Sequence, residues 1–156
     1  MKKNILKNLA LGWMLLFAAS AFAQDEAVPF AVADKAPAYP GCENLSGEAL
    51  QDCTSQKIIN FVNSNFDTSL GKKLGIVGST RIVVQFKIDA DGNTIDVRSR
   101  SLDNDATVRE RLQTEANRVV EKLPNMKPAE KEGKKVAILY SLPIQFEVPK
   151  TTEEKN

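Results

Sequence analysis

The chain has 156 residues and a formal net charge of +1, with 21 Lys and Arg, 20 Asp and Glu, and no His. Because the positive and negative charges are nearly equal in number, the chain has no general attraction to nucleic acid. Without His, no Ser–His or Cys–His nucleophile can form, and the carboxylates lie where no apolar setting would prepare a catalytic acid. We therefore predict a binding protein and not an enzyme, with no cofactor, no metal and no small-molecule substrate.

The first 23 residues are typical of a secretory signal peptide. Lys2, Lys3 and Lys7 precede an apolar stretch at residues 9–22, and residues 21–23 read A-F-A, which fits a cleavage site. The apolar stretch is shorter than the roughly 20 residues that a spanning helix needs, so an uncleaved inner-membrane anchor is the minor alternative. We therefore expect an exported, periplasmic protein.

The only two cysteines, Cys42 and Cys53, lie in the exported part of the chain. In an oxidising compartment they most simply form one disulfide, whose loop of about a dozen residues should contribute roughly 3 kcal/mol of stability. Before them, residues 24–40 are rich in Ala and Pro, which excludes a helix and leaves either an extended linker or a short added strand.

Helical and strand patterns alternate in the next part of the chain. After Ser46, a candidate N-cap, apolar residues recur at helical spacing. A β-hairpin follows with its turn at residues 91–93, which read D-G-N. This turn resembles part of a calcium loop, but the Gly and Glu of the sixth and twelfth positions are missing. A second amphipathic helix is predicted over residues 103–123.

Residues 134–149 read as one long strand, in which every second residue from Val136 to Val148 is apolar. Pro143 lies in its middle and has no amide hydrogen, and proline in sheets is nearly confined to edges and bulges. We therefore predict an edge strand, at which another extended chain can pair. The proposed partner-binding residues are Leu139, Tyr140, Ser141, Leu142, Pro143, Ile144 and Gln145.

The predicted order is helix, strand, strand, helix, strand. It favours an α+β fold with the helices packed on one face of a small antiparallel sheet. The other face carries Arg81, Arg98 and Arg100, which either receive an acidic partner or are simply solvated. We place one domain at residues 41–149 and a charged, disordered tail at residues 150–156.

Together these features resemble the family of TonB C-terminal domains, as it occurs in exported Bacteroidetes proteins. The resemblance covers residues 28–148 and rests on the hairpin with its D-G-N turn, the M-K-P-A loop after the second helix, and the proline inside the last strand. It implies a binding module whose last strand pairs with a short extended segment, the TonB box, of an outer-membrane receptor. The expected partners are therefore outer-membrane TonB-dependent receptors.

The resemblance has one departure. A complete energy transducer carries a long Pro-rich spacer, whereas residues 24–41 reach at most about 60 Å when extended. We therefore expect an accessory or competing domain in TonB-dependent transport. A secreted one-disulfide inhibitor or another peptide-binding domain is the alternative, and a homodimer through the exposed edge stays open. A pull-down would distinguish these readings, since an inhibitor should retain a hydrolase.

Overall fold

The computed structural model describes residues 27–149. The predicted signal peptide (1–23) and the predicted tail (150–156) lie outside the described residues. The helices are α1 (Gly47–Asn65), α2 (Ser69–Lys73) and α3 (Ala106–Val120). The strands are β1 (Val28–Pro29), β2 (Gly78–Ile88), β3 (Thr94–Ser101), β4 (Ala129–Lys131), β5 (Lys134–Val136) and β6 (Ile138–Val148). No helix between residues 27 and 149 is long and apolar enough to cross a membrane.

The main sheet has four strands in the order β1-β6-β2-β3. β6 runs antiparallel to β2 over its whole length, with Ile138 opposite Ile88 and Val148 opposite Gly78. β2 is also antiparallel to β3, whereas β1 is parallel to β6 and only two residues long. The predicted α+β class with a small, mainly antiparallel sheet is confirmed.

Period-two alternation places one face of this sheet in the core. On this face the apolar residues of β2 and β6 are buried together with the apolar stripes of α1 and α3. The opposite face, which we call the uncovered face, carries the alternate residues of the same strands, most of which are exposed. The core residues that lie below 2% exposure include Ile58, Val62, Ile82, Val84, Phe86, Ile88, Leu112, Val119 and Ile138.

The prediction of one strand over residues 134–149 is wrong. The first part is β5, which pairs with β4 in a separate two-stranded sheet, and Ala137 separates it from β6. Glu132 and Gly133, whose φ angles are 50° and 72°, form the tight turn between β4 and β5. This turn folds β5 back on β4, and the residues predicted as a loop before it therefore include a strand.

The predicted bounds of the second helix are also too wide. α3 begins at Ala106 because Asp105 caps it: the Asp105 carboxylate accepts a hydrogen bond of 2.9 Å from the Val108 amide. The helix ends at Val120, three residues before the predicted end. Between α1 and the hairpin lies the short helix α2, which was not predicted from the sequence.

The segment before α1 packs against the rest of the domain. Lys35 and Ala38 exchange backbone hydrogen bonds with Glu130 and Lys127, next to or within β4. The predicted disulfide is confirmed and joins this segment to α1, with the Cα atoms of Cys42 and Cys53 6.0 Å apart. The predicted domain boundary at residues 40 and 41 stays a prediction.

Candidate functional site

β6 is the strand on which the predicted site lies. On one side it pairs with β2 along its full length, and on the other side only β1 pairs with it, at Ile138 and Leu139. Within the described part of the chain, no strand pairs with this outer side beyond Leu139. We call the outer side of residues 141–147 the free edge.

The backbone groups that point to the free edge can be identified from the hydrogen bonds. In a strand, successive residues direct their N–H and C=O groups to opposite sides. The Val28 amide donates to the Ala137 carbonyl over 2.9 Å, so Ala137 faces outward. The register between β2 and β6 is unbroken, so every later odd-numbered residue of β6 also faces outward.

A bond on the far side of β2 supports this assignment. If even-numbered residues of β6 bond to β2, then odd-numbered residues of β2 must face β3. The Leu102 amide does donate to the carbonyl of Arg81, over 3.2 Å. Ser141, Pro143, Gln145 and Glu147 therefore present their backbone to the free edge.

Pro143 thus lies where its missing amide hydrogen leaves the sheet intact. It stands opposite Val83, in a pair whose backbone groups point away from each other. The ladder between β2 and β6 loses no bond, whereas the free edge loses one donor. The edge offers the carbonyls of residues 141, 143, 145 and 147 but only the amides of residues 141, 145 and 147.

The predicted site residues divide into three groups. Ser141, Pro143 and Gln145 lie on the free edge. Leu139 faces outward as well, but it stands beside Pro29 of β1. The other three have buried side chains and direct their backbone to β2; they are Tyr140, Leu142 and Ile144.

Glu147 was missed by the sequence reasoning. It is exposed and shares the odd-numbered alternation of Pro143, which places its amide and carbonyl on the free edge. The period-two pattern of the sequence extends to Val148 and could have revealed Glu147. The predicted set of residues ended at Gln145.

The two faces beside the free edge differ in chemistry. On the helix side lie Leu142, Ile144 and the half-buried ring of Phe146, which contacts Phe66 with centroids 5.4 Å apart. Gly71 of α2 packs so closely on Phe146 and Val148 that a Cβ atom there would overlap them. On the uncovered face the edge residues are polar, apart from Pro143.

Tyr140 marks the place where the free edge begins. Its ring is buried between Phe30 and Phe86, with centroid distances of 5.0 and 5.2 Å. Burial raises the pKa of the Tyr140 hydroxyl, and a hydrogen bond with Ser55 acts in the opposite direction. The side chain is therefore a neutral packing group.

Arg81, Arg98 and Arg100 lie together on the uncovered face. Arg98 stands opposite Gln85 and Arg100 opposite Val83, while Arg81 stands opposite Gln145 of β6. Between residues 27 and 149, no carboxylate lies within 4.0 Å of any of these three guanidinium groups.

The neighbouring cation of this face is neutralised. Lys87 forms an ion pair of 2.8 Å with Asp96, and the Lys87 ammonium holds the pKa of the Asp96 carboxyl below its ordinary value. Asp96 adopts a φ of 53° where the register between β2 and β3 shifts, so a bulge places it beside Lys87. The three arginines are therefore the positive charges of this face that have no partner within 27–149.

Arg98 and Arg100 are too far from the free edge to contact a strand that is added there, whereas Arg81 is closer. Adjacent strands are spaced by about 4.8 Å, so Arg81 on β2 is about 10 Å from a strand added outside β6. Arg98 and Arg100, on β3, are about 14 Å away from it. An acidic group that meets them must belong to a part of the partner that lies over the sheet.

The same residues offer no metal-binding geometry. From residue 27 to residue 149, no group of three or more His, Cys, Asp or Glu side chains converges on one point. The arrangement that remains is a strip of unpaired backbone, which is suited to binding an extended chain.

A family model described as "Gram-negative bacterial TonB protein C-terminal" matches residues 71–148, half of the chain. The match runs from within α2 to the end of β6 and includes the whole free edge. β1, the disulfide and α1 precede it. No curated protein matches the chain.

Proposed function

Because the chain belongs to the TonB C-terminal family, a non-enzymatic family of interaction domains of the cell envelope tied to TonB-dependent transport, we propose that it binds an extended segment of an outer-membrane receptor by strand addition to β6. The observation that carries the proposal is the free edge, whose unpaired backbone groups lie inside the matched region.

Backbone pairing would supply most of the affinity. An added strand can accept hydrogen bonds from three amides and donate to four carbonyls, each bond worth about 1 kcal/mol net. Ordering a flexible segment offsets much of this gain, so we expect weak, reversible binding.

The two faces of the edge define the side-chain pattern of the segment. Every second residue of an added strand would lie beside Leu142, Ile144 and Phe146 and should be apolar. The alternate residues would lie beside Ser141, Gln145 and Glu147 and should be polar, with a basic residue favoured opposite Glu147. Selectivity thus comes from alternation rather than from a deep pocket.

The arginines of the uncovered face are proposed as a second, electrostatic contact. An acidic portion of the receptor beside the pairing segment would lie over Arg81, Arg98 and Arg100. Because these side chains are exposed, their contribution should fall as salt rises. Replacing all three by Gln should weaken binding at low salt more than at high salt.

Titration of the labelled protein with a synthetic receptor-box peptide, followed by amide chemical shifts and hydrogen exchange, tests the proposal. The amides of Ser141, Gln145 and Glu147 should become protected on binding. The matched control uses two N-methylated peptides, one methylated at the odd residues and one at the even residues. Strand addition requires that one set abolishes binding and the other does not.

Equal effects of the two methylated peptides, or protection confined to β3, would contradict strand addition at β6. A pull-down from envelope extract separates the classes of partner: outer-membrane receptors support the proposal, and a retained hydrolase supports the inhibitor alternative.

A further inference from the structure

We infer that Pro143 makes the free edge select an extended segment of another protein over a second copy of this chain. For its peptide partner the inference rests on the function proposed above. For the second copy it rests on the geometry of β6 alone.

A foreign strand loses one hydrogen bond at Pro143. Of the groups that face outward between residues 141 and 147, only the nitrogen of Pro143 lacks a hydrogen. One carbonyl of the incoming strand is therefore left without a donor. The remaining amides and all of the carbonyls can still pair.

Pairing with a second copy of the chain loses two hydrogen bonds. Closed dimers are two-fold symmetric, so both copies present the same residues to each other. If the two Pro143 residues face each other, both bonds of that pair are missing. If Pro143 of one copy faces Gln145 of the other, the same pair occurs twice by symmetry. Each of these two pairs lacks the hydrogen bond that the amide of residue 143 would donate. Every antiparallel register that pairs position 143 therefore loses two bonds.

The short strand β1 has the same property. The Val28 amide points to β6, so the next residue, Pro29, points to the opposite, outer side. Pro29 has no amide hydrogen to present there. On this border of the sheet, both prolines thus stand where an outward-facing amide would otherwise invite another edge.

The size of the discrimination follows from the value of one bond. A backbone hydrogen bond contributes about 1 kcal/mol net, which corresponds to about fivefold in an equilibrium constant. Restoring the donor should therefore strengthen peptide binding about fivefold and self-association about 25-fold. The difference between these two ratios is what the inference predicts.

Pro143→Val tests the inference, because Pro143 is exposed and makes no bond to β2. The matched control is Gln85→Val, which places the same β-branched side chain on the same uncovered face, on β2, a strand that is paired on both sides. Sedimentation equilibrium gives the dimerisation constant, and titration with the receptor-box peptide gives the peptide affinity. We expect a gain of about 25-fold in self-association and about fivefold in peptide binding for Pro143→Val, and a change of less than about twofold in either for Gln85→Val.

Equal self-association of the two variants would overturn the inference, since a side-chain effect would then explain it. A peptide gain as large as the dimer gain would overturn it too. Pro143→Thr repeats the measurement if the valine variant is poorly folded by its amide spectrum. If no form binds the peptide while Pro143→Val alone dimerises, the proposed function fails and the rejection of self-pairing stands.

Discussion

Phe30 lies edge-on against Tyr140, with ring centroids 5.0 Å apart and ring planes at 80°. Phe30 directly follows β1, and Tyr140 directly follows the two residues of β6 that β1 covers. The contact therefore holds the N-terminal segment at the point where the free edge starts. It makes β1 the boundary that the proposed added strand would meet.

Val28→Pro should open this boundary. The substitution removes the amide that donates to Ala137, the hydrogen bond that anchors β1 to β6. We expect the amide of Leu139 to exchange faster. Receptor-box peptides long enough to reach Leu139 should bind more tightly, and shorter ones should be unaffected.

Val28→Ala is the matched control, because it shortens the side chain and keeps the amide. Hydrogen exchange and peptide titrations on both variants provide the comparison. If the Leu139 amide exchanges its hydrogen at the same rate in Val28→Pro and in Val28→Ala, the boundary role of β1 is wrong.

The sequence was most informative where the signal is local. The hairpin, the two long helices and the outward position of Pro143 follow from periodicity and from residues such as Asp91 and Gly92. β1 carries no such signal, because it is two residues long and pairs with residues 110 positions away. The break at Ala137 is hidden for another reason: the apolar alternation runs through it from Val136 to Ile138.

Loss of the disulfide should lower stability without altering the free edge. Cys42→Ser/Cys53→Ser removes a covalent loop closure worth about 3 kcal/mol. The backbone bonds of Lys35 and Ala38 continue to hold the N-terminal segment. We therefore expect a lower melting temperature and an unchanged peptide affinity.

Thermal denaturation of wild type with and without reductant provides the control, since reduction should reproduce the loss seen in the double variant. Peptide affinity that falls with the disulfide would instead show that the Cys42–Cys53 bridge supports the edge directly.

Gly92→Ala should be strongly destabilising. Gly92 is buried with a φ of +87°, and the place of its Cβ is occupied by the Met126 carbonyl. The Met126 amide also donates to the Gly92 carbonyl over 2.9 Å, so the turn and the loop after α3 hold each other. We expect a loss of about 3 kcal/mol or more in urea denaturation.

Gly133→Ala separates the backbone strain of a positive φ from the steric overlap that Gly92→Ala makes with Met126. Gly133 has a φ of +72°, but no atom lies within 4 Å of its Cβ position. Only the backbone term applies, and we expect a loss of about 1 kcal/mol. Equal losses at the two glycines would mean that the Met126 contact is unimportant.

Protonation of Glu115 should make the domain less stable in acid. Its carboxylate accepts hydrogen bonds of 2.7 and 2.6 Å from Arg118 and one of 2.9 Å from the Asp67 amide, which ties α3 to the segment between α1 and α2. The hydrogen bond with Arg118 is the main cause that holds the Glu115 pKa below its ordinary 4.5. A lowered folded-state pKa gives stability that is present above the unfolded value and lost as pH falls through the folded value.

Glu115→Gln should therefore be less stable than wild type at pH 7 by about 1 kcal/mol, a value reduced because the Arg118 side chain is 43% exposed to screening solvent. The difference should shrink below pH 4.5 and vanish once Glu115 is protonated in the folded wild type. Urea denaturation across this range measures it, and Glu110→Gln, on the exposed side of α3, gives the baseline for removing one surface charge. A difference between Glu115→Gln and wild type that stays constant down to low pH would show that packing, and not the charge of Glu115, joins α3 to the segment between α1 and α2.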